Sequence, residues 1–118
     1  MFSEQVHELI RQELANAAQA REQGYEGRAR VCARRAAGTA IGEYFRLRGN
    51  LNRTGSAIDL IQMLAAYKSA PQRARIAAAA LLERVDENFS LPPQVDLLFE
   101  VNELVRVLDE QASQTKEG

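Results

Sequence analysis

Val6, Ile10, Leu14, Ala17 and Ala18 recur at three- and four-residue steps, which places them on one side of a helix turning about 100° per residue. Glu4, Glu8, Arg11 and Arg21 fall mostly elsewhere, so an amphipathic helix is predicted over residues 3–23. Gly24 supplies its stop, because glycine adopts the left-handed conformation without a Cβ clash, and residues 24–27 read as a tight connection.

The second predicted helix, residues 26–48, has apolar or small residues on more than one face. One stripe holds Ala29, Ala33, Ala36, Ala40, Tyr44 and Leu47; another holds Val31, Gly38, Ile41 and Phe45, with Gly42 beside it. Such a helix needs cover on both faces. It either runs through the middle of the domain or meets a second protomer. Gly38 and Gly42, four residues apart, would let a neighbouring backbone approach closely. Two glycines inside a helix cost roughly 1 kcal/mol each relative to alanine, and close packing is a compensation.

Residues 50–55 are rich in turn formers. Ser56 then reads as an N-cap, with Asp59 near the positive end of the helix dipole. Ile58, Leu60, Ile61, Leu64, Ala65 and Tyr67 give a third helix a broad apolar side that ends near Pro71. A fourth helix over residues 71–88 is expected to bury Ile76, Ala77, Ala80, Leu81 and Val85. Residues 89–93 form a corner, since proline lacks an N–H and biases its predecessor away from helix. A fifth helix, residues 94–111, carries Val95, Leu98, Val101, Val105 and Leu108, broadened by Leu97 and Leu104. Residues 112–118 are expected to fray as a polar tail. No stretch alternates as a half-buried strand does, so the expectation is one all-α domain over residues 1–111, an up-and-down bundle of four or five helices.

Composition agrees with a packed domain, since 118 residues at 46% hydrophobic and 26% charged can bury a core large enough to offset chain entropy. No run approaches the length of a membrane span, and the first residues lack the pattern of a signal peptide. Cys32 is the single cysteine, so no intrachain disulfide forms and a reducing, cytoplasmic setting is expected. Inside an apolar helix it reads as a small buried hydrophobe. Net charge is −1, with an excess of arginine in residues 1–55 and of acid in the remainder. The two halves can pair with each other, so charge balance alone establishes no nucleic-acid footprint.

Chemistry of the catalytic kind is sparse. His7 has no second His or Cys at metal-ligand spacing and reads as a surface or boundary residue. Glu100 and Glu103 lack the Glu-x-x-His partners of a di-metal bundle and read as solvated. No glycine-rich phosphate loop exists. No catalytic residue, metal ligand or cofactor is therefore assigned, and an enzyme is not expected. Arginine placement is more informative: Arg28, Arg35 and Arg46 form one row along the second helix, and Arg30, Arg34 and Arg48 another. A planar guanidinium suits phosphate, and the first row is the candidate polyanion-binding site. The alternative is pairing with acids such as Glu26, Glu43 or those of the fifth helix.

The run Gly24-Tyr25-Glu26-Gly27, followed by Ala29-Arg30-Val31-Cys32-Ala33-Arg34-Arg35-Ala36-Ala37-Gly38, resembles the helical HEPN superfamily. The later corner Asn88-Phe89-Ser90-Leu91-Pro92 before a long last helix is similar to the aromatic-to-proline corner of that family. The likeness spans roughly residues 14–108. It implies a bundle of four or five helices, commonly dimeric, in a superfamily that includes ribonuclease toxins and nucleotide-binding or accessory modules of toxin-antitoxin and defence systems. Active nucleases of the family carry an Arg followed a few residues later by His, contributed by both protomers. Here the one histidine precedes every arginine, so no catalytic role carries over. Two roles remain: a non-catalytic module binding nucleotide or RNA, or a homodimeric module that binds protein. The homodimer contact expected is the second face of helix two, Val31, Gly38, Ile41, Gly42 and Phe45, unless the fifth helix covers that face within the chain.

Overall fold

A computed structural model describes residues 1–49, 56–83 and 96–115, which contain five α-helices and no strand among the described residues. Helix α1 (Glu4–Glu22) starts at Ser3, whose hydroxyl accepts from the Val6 N–H at 3.2 Å. It stops at Gly24, at φ +84°. The Gly24 N–H there donates to Arg21 O at 3.0 Å and the Tyr25 N–H to Ala20 O at 2.8 Å, satisfying two carbonyls of the last turn. Helix α2 (Glu26–Leu47) then folds back along α1.

Alanine sets the spacing of this hairpin. Ala17 and Ala20 of α1 and Ala29, Ala33, Ala36 and Ala40 of α2 are all buried, and side chains this small let two backbones approach closely. Bulk gathers further along. Tyr44 and Ile41 of α2 are fully buried, as are Ile61, Leu64, Leu81, Leu97, Val101, Leu104 and Leu108, each side chain contributing roughly 1.5–3 kcal/mol by leaving water. Helix α2 packs against α1, α3 (Ala57–Ala66) and α5 (Leu97–Thr115), while α4 (Gln72–Leu81) packs against α3 and α5. The second helix is thus the central one, covered over most of its circumference.

Two registers and one helix end differ from expectation. Along α4 the buried stripe is Ala74, Ala77, Ala78 and Leu81, and Ile76 is exposed. It lies two residues from Ala74, on the opposite side of a helix with 3.6 residues per turn. The expected continuation of α4 through Val85, and the corner at residues 89–93, lie outside the described residues. On α5 the buried line is Leu97, Val101, Leu104, Leu108 and Ala112, while Leu98 and Val105 flank it. Ala112 extends that line by one four-residue step and α5 runs to Thr115, into the segment expected as a frayed tail, whose residues 116–118 lie outside the described residues.

Candidate functional site

The α1–α2 hairpin holds a polar groove lined by Asn16, Gln19 and Ala20 of α1, by Gln23 at its C-terminal cap, and by Arg28, Val31, Cys32 and Arg35 of α2. Arg28 and Arg35 stand seven residues apart, so two turns and about 10 Å of helix separate them on one side of α2. Both are exposed, and neither meets a carboxylate among the described residues. Among the described residues the groove therefore offers two guanidinium groups without a carboxylate beside three carboxamides, an arrangement suited to an anion with further hydrogen-bonding groups. Cys32 forms part of its floor, buried and unpaired.

Most other arginines among the described residues are engaged, Arg30 and Arg75 excepted. Arg11 pairs with Glu8, Arg21 with Glu26 and Asp96, and Arg106 with Glu103 and Glu110. Arg73 binds Glu100 at 3.0 Å and Glu103 at 3.6 Å, so those two carboxylates tie α5 to α4 where the sequence suggested solvation. Arg34 is held by backbone: its Nε donates to Leu81 O at 2.9 Å and its Nη2 to Glu83 O at 3.2 Å. Burial, aided by the charge of Arg30, holds the Arg34 pKa below the ordinary guanidinium value. Arg34 is thus a cap on the C-terminal end of α4, where the helix dipole favours a cation.

Arg46 departs from the expected row. Its Nε and Nη2 donate to the two oxygens of Glu43 at 2.7 and 2.8 Å, and this hydrogen-bonded pairing lowers the Glu43 pKa and raises that of Arg46. Eleven residues also separate it from Arg35, about 16 Å along the axis. Helical periodicity aligns the three residues in angle, but distance and a local carboxylate divide them, leaving Arg28 and Arg35 as the pair that shares a groove.

The second face of α2 is covered from within the chain. A Cβ added to Gly38 would stand 3.0 Å from Ala57 Cβ and 3.2 Å from Ala57 Cα, so the backbone that the glycine admits is the start of α3. Gly42 faces Leu60 of the same helix, Ile41 is wholly buried, and Phe45 packs edge-on against Tyr67 with ring centroids 5.3 Å apart. Of the residues expected in a dimer contact, Val31 is the exposed apolar side chain, at 48%. The cover comes from α3, whereas the fifth helix had been the expected intramolecular alternative.

His7 lies at the boundary and has a partner 102 residues away: its Nε2 is 2.8 Å from Asp109 Oδ2. The other Asp109 oxygen accepts from the Phe2 N–H at 2.6 Å, and the Phe2 side chain is buried. About 18 Å of α1 separates His7 from Gln19, so this pair stands apart from the groove. Among the described residues there is no group of three or more His, Cys, Asp or Glu placed to hold a metal, and no helix long and apolar enough to cross a membrane. No family model, curated protein or solved structure matches the chain.

Proposed function

We propose that this chain is a non-catalytic, HEPN-like helical module that binds a phosphorylated ligand, a nucleotide or RNA, in the groove between α1 and α2. The observation that carries the reading is that Arg28 and Arg35 stand exposed in one groove with no carboxylate on either among the described residues, whereas Arg21, Arg46 and Arg73 pair with acids and Arg34 caps carbonyls. Solvating two like charges in one groove costs little while water fills it, and phosphate is the common biological anion that a guanidinium fork matches. The order of helices and the Gly24-to-Gly38 run support the HEPN-like part of the proposal. An accessory role in a toxin-antitoxin or defence system follows from that resemblance and from nothing else. A homodimer through the second face of α2 has less support, because Gly38, Ile41 and Phe45 are buried within the chain.

Equilibrium binding of a 5′-nucleotide and of a short single-stranded RNA, measured over a range of salt, tests the reading. Arg28→Ala and Arg35→Ala should each weaken binding, and for RNA each should flatten the salt slope by about one contact. Arg46→Ala should leave both unchanged. Binding indifferent to Arg28 and Arg35 returns them to the role of solvated surface charges.

A further inference from the structure

The corner that joins α1 to α2 carries an exposed aromatic ring beside the groove. Tyr25 is 57% exposed and lines a shallow cleft with Gly24, Glu26, Gly27 and Arg28, so Arg28 belongs both to this cleft and to the groove. The ring stands on a fixed backbone. Tyr25 N–H donates to Ala20 O at 2.8 Å, closing α1, and Tyr25 O accepts from the Ala29 N–H at 3.0 Å, opening α2. The flanking backbone is open as well: a Cβ at Gly24 would meet nothing within 4 Å beyond its chain neighbours, and one at Gly27 only the tip of Arg30 at 3.8 Å. Glu26, the acid of this corner, has Oε1 3.8 Å from Arg21 Nε, and Arg21 in turn binds Asp96. The other two tyrosines differ, Tyr44 being buried and Tyr67 packed on Phe45.

We infer that Tyr25 is the stacking platform for the base of the groove's ligand, which makes that ligand a nucleoside phosphate and not a simple phosphate ester. The inference rests on the anion-binding reading of the groove and adds the group that recognises the ring. An exposed aromatic on a rigid turn loses little entropy on binding, and every nucleobase presents a π-face to it. Arg28, shared by both surfaces, then holds the phosphate next to the stacked nucleoside, and Arg35 a second anionic group further along α2. The corner has a single such ring, so one base is stacked, and a free nucleotide or one nucleotide of an RNA strand satisfies the same chemistry.

Three probes test this on the full chain: AMP, ribose 5-phosphate, and a short single-stranded RNA. The chain has no tryptophan and three tyrosines, so the part of the tyrosine fluorescence that is missing from Tyr25→Leu reports on the site. AMP and the RNA should quench it and ribose 5-phosphate should not. Tyr25→Leu should weaken AMP binding about tenfold, the scale of one base–aromatic stack, abolish the quenching, and leave ribose 5-phosphate binding unchanged. Tyr25→Phe should restore AMP binding, since stacking needs the ring and not the hydroxyl. RNA binding much tighter than AMP identifies a strand as the source of the stacked base, and equal binding identifies a free nucleotide. Binding of AMP that ignores Tyr25→Leu but falls with Arg28→Ala overturns the role of the ring alone. Absence of binding by all three probes overturns the groove reading, and the role of Tyr25 with it.

Discussion

Gly38 lies so close to Ala57 that a methyl group on the glycine would stand 3.0 Å from the Ala57 side chain. Gly42, one turn on, would meet only Leu60 Cδ1 at 3.8 Å, an ordinary contact. Alanine gains about 1 kcal/mol over glycine inside a helix, so Gly42→Ala should stabilise the chain by up to that amount. Gly38→Ala must also push α3 away, at about 1–3 kcal/mol, and should be net destabilising by about 1 kcal/mol. Urea denaturation of the two variants should give midpoints on opposite sides of the wild type.

Asp109 holds both Phe2 and His7 against α5. Asp109→Ala should cost about 1–3 kcal/mol, because the Phe2 N–H loses a charge-assisted bond while its side chain remains in the core. The loss should be local. Hydrogen exchange should accelerate at residues 2–10 and stay near wild type in the middle of α2; equal acceleration in both places would show that the N-terminal segment does not open separately.

Asp96 accepts from the N–H groups of Leu98 and Phe99 at 3.1 and 3.3 Å and from Arg21 at 3.2 Å. Burial works against its charged form, but the hydrogen bonds from Phe99, Arg21 and Leu98 outweigh it and hold the pKa below the usual carboxylate value. A depressed pKa in the folded state means that the stabilisation is complete above the unfolded value, about 4, and is lost as pH falls through the folded one. Asp96→Ala should therefore cost about 1 kcal/mol at pH 7. The gap to the wild type should narrow steadily in denaturation curves taken below about pH 4.

Arg34 and Arg30 lie one turn apart on α2 but do different work. Arg34→Met keeps the stem and removes two charge-assisted bonds to the carbonyls of Leu81 and Glu83, so thermal unfolding should reveal a loss of about 1–3 kcal/mol. Arg30→Met should be neutral or slightly stabilising, because its charge disfavours that of Arg34. A larger loss at Arg30 than at Arg34 would contradict the capping role.

How far the site was legible follows the range of the interactions. Arg28 and Arg35 were visible as a pair because seven residues are two turns of one helix, a relation contained in the spacing. Arg46 shares their angle, and its separation from them needed the Glu43 contact, one of several acids the sequence offered. Tyr25 was visible as part of a Gly-Tyr turn, but its exposure beside Arg28 depends on how α1 and α2 cross.

What the sequence by itself determined is the set of local devices: five helices in order, the cap at Ser56, the stop at Gly24, and the alanine stripe along α2. Each is settled by hydrogen bonds or periodicity within about four residues, so the chain encodes it without reference to its distant parts. Only the tertiary structure decided that α3 covers Gly38 and Phe45, that Asp109 reaches His7, that Leu97 and Leu104 lie at the centre of their stripe, and that Ile76 stays outside. Those outcomes depend on which of several apolar faces meet in space. A helix with apolar residues around most of its circumference states only that it must be covered, and the covering element is chosen by the packing of segments far apart in the chain.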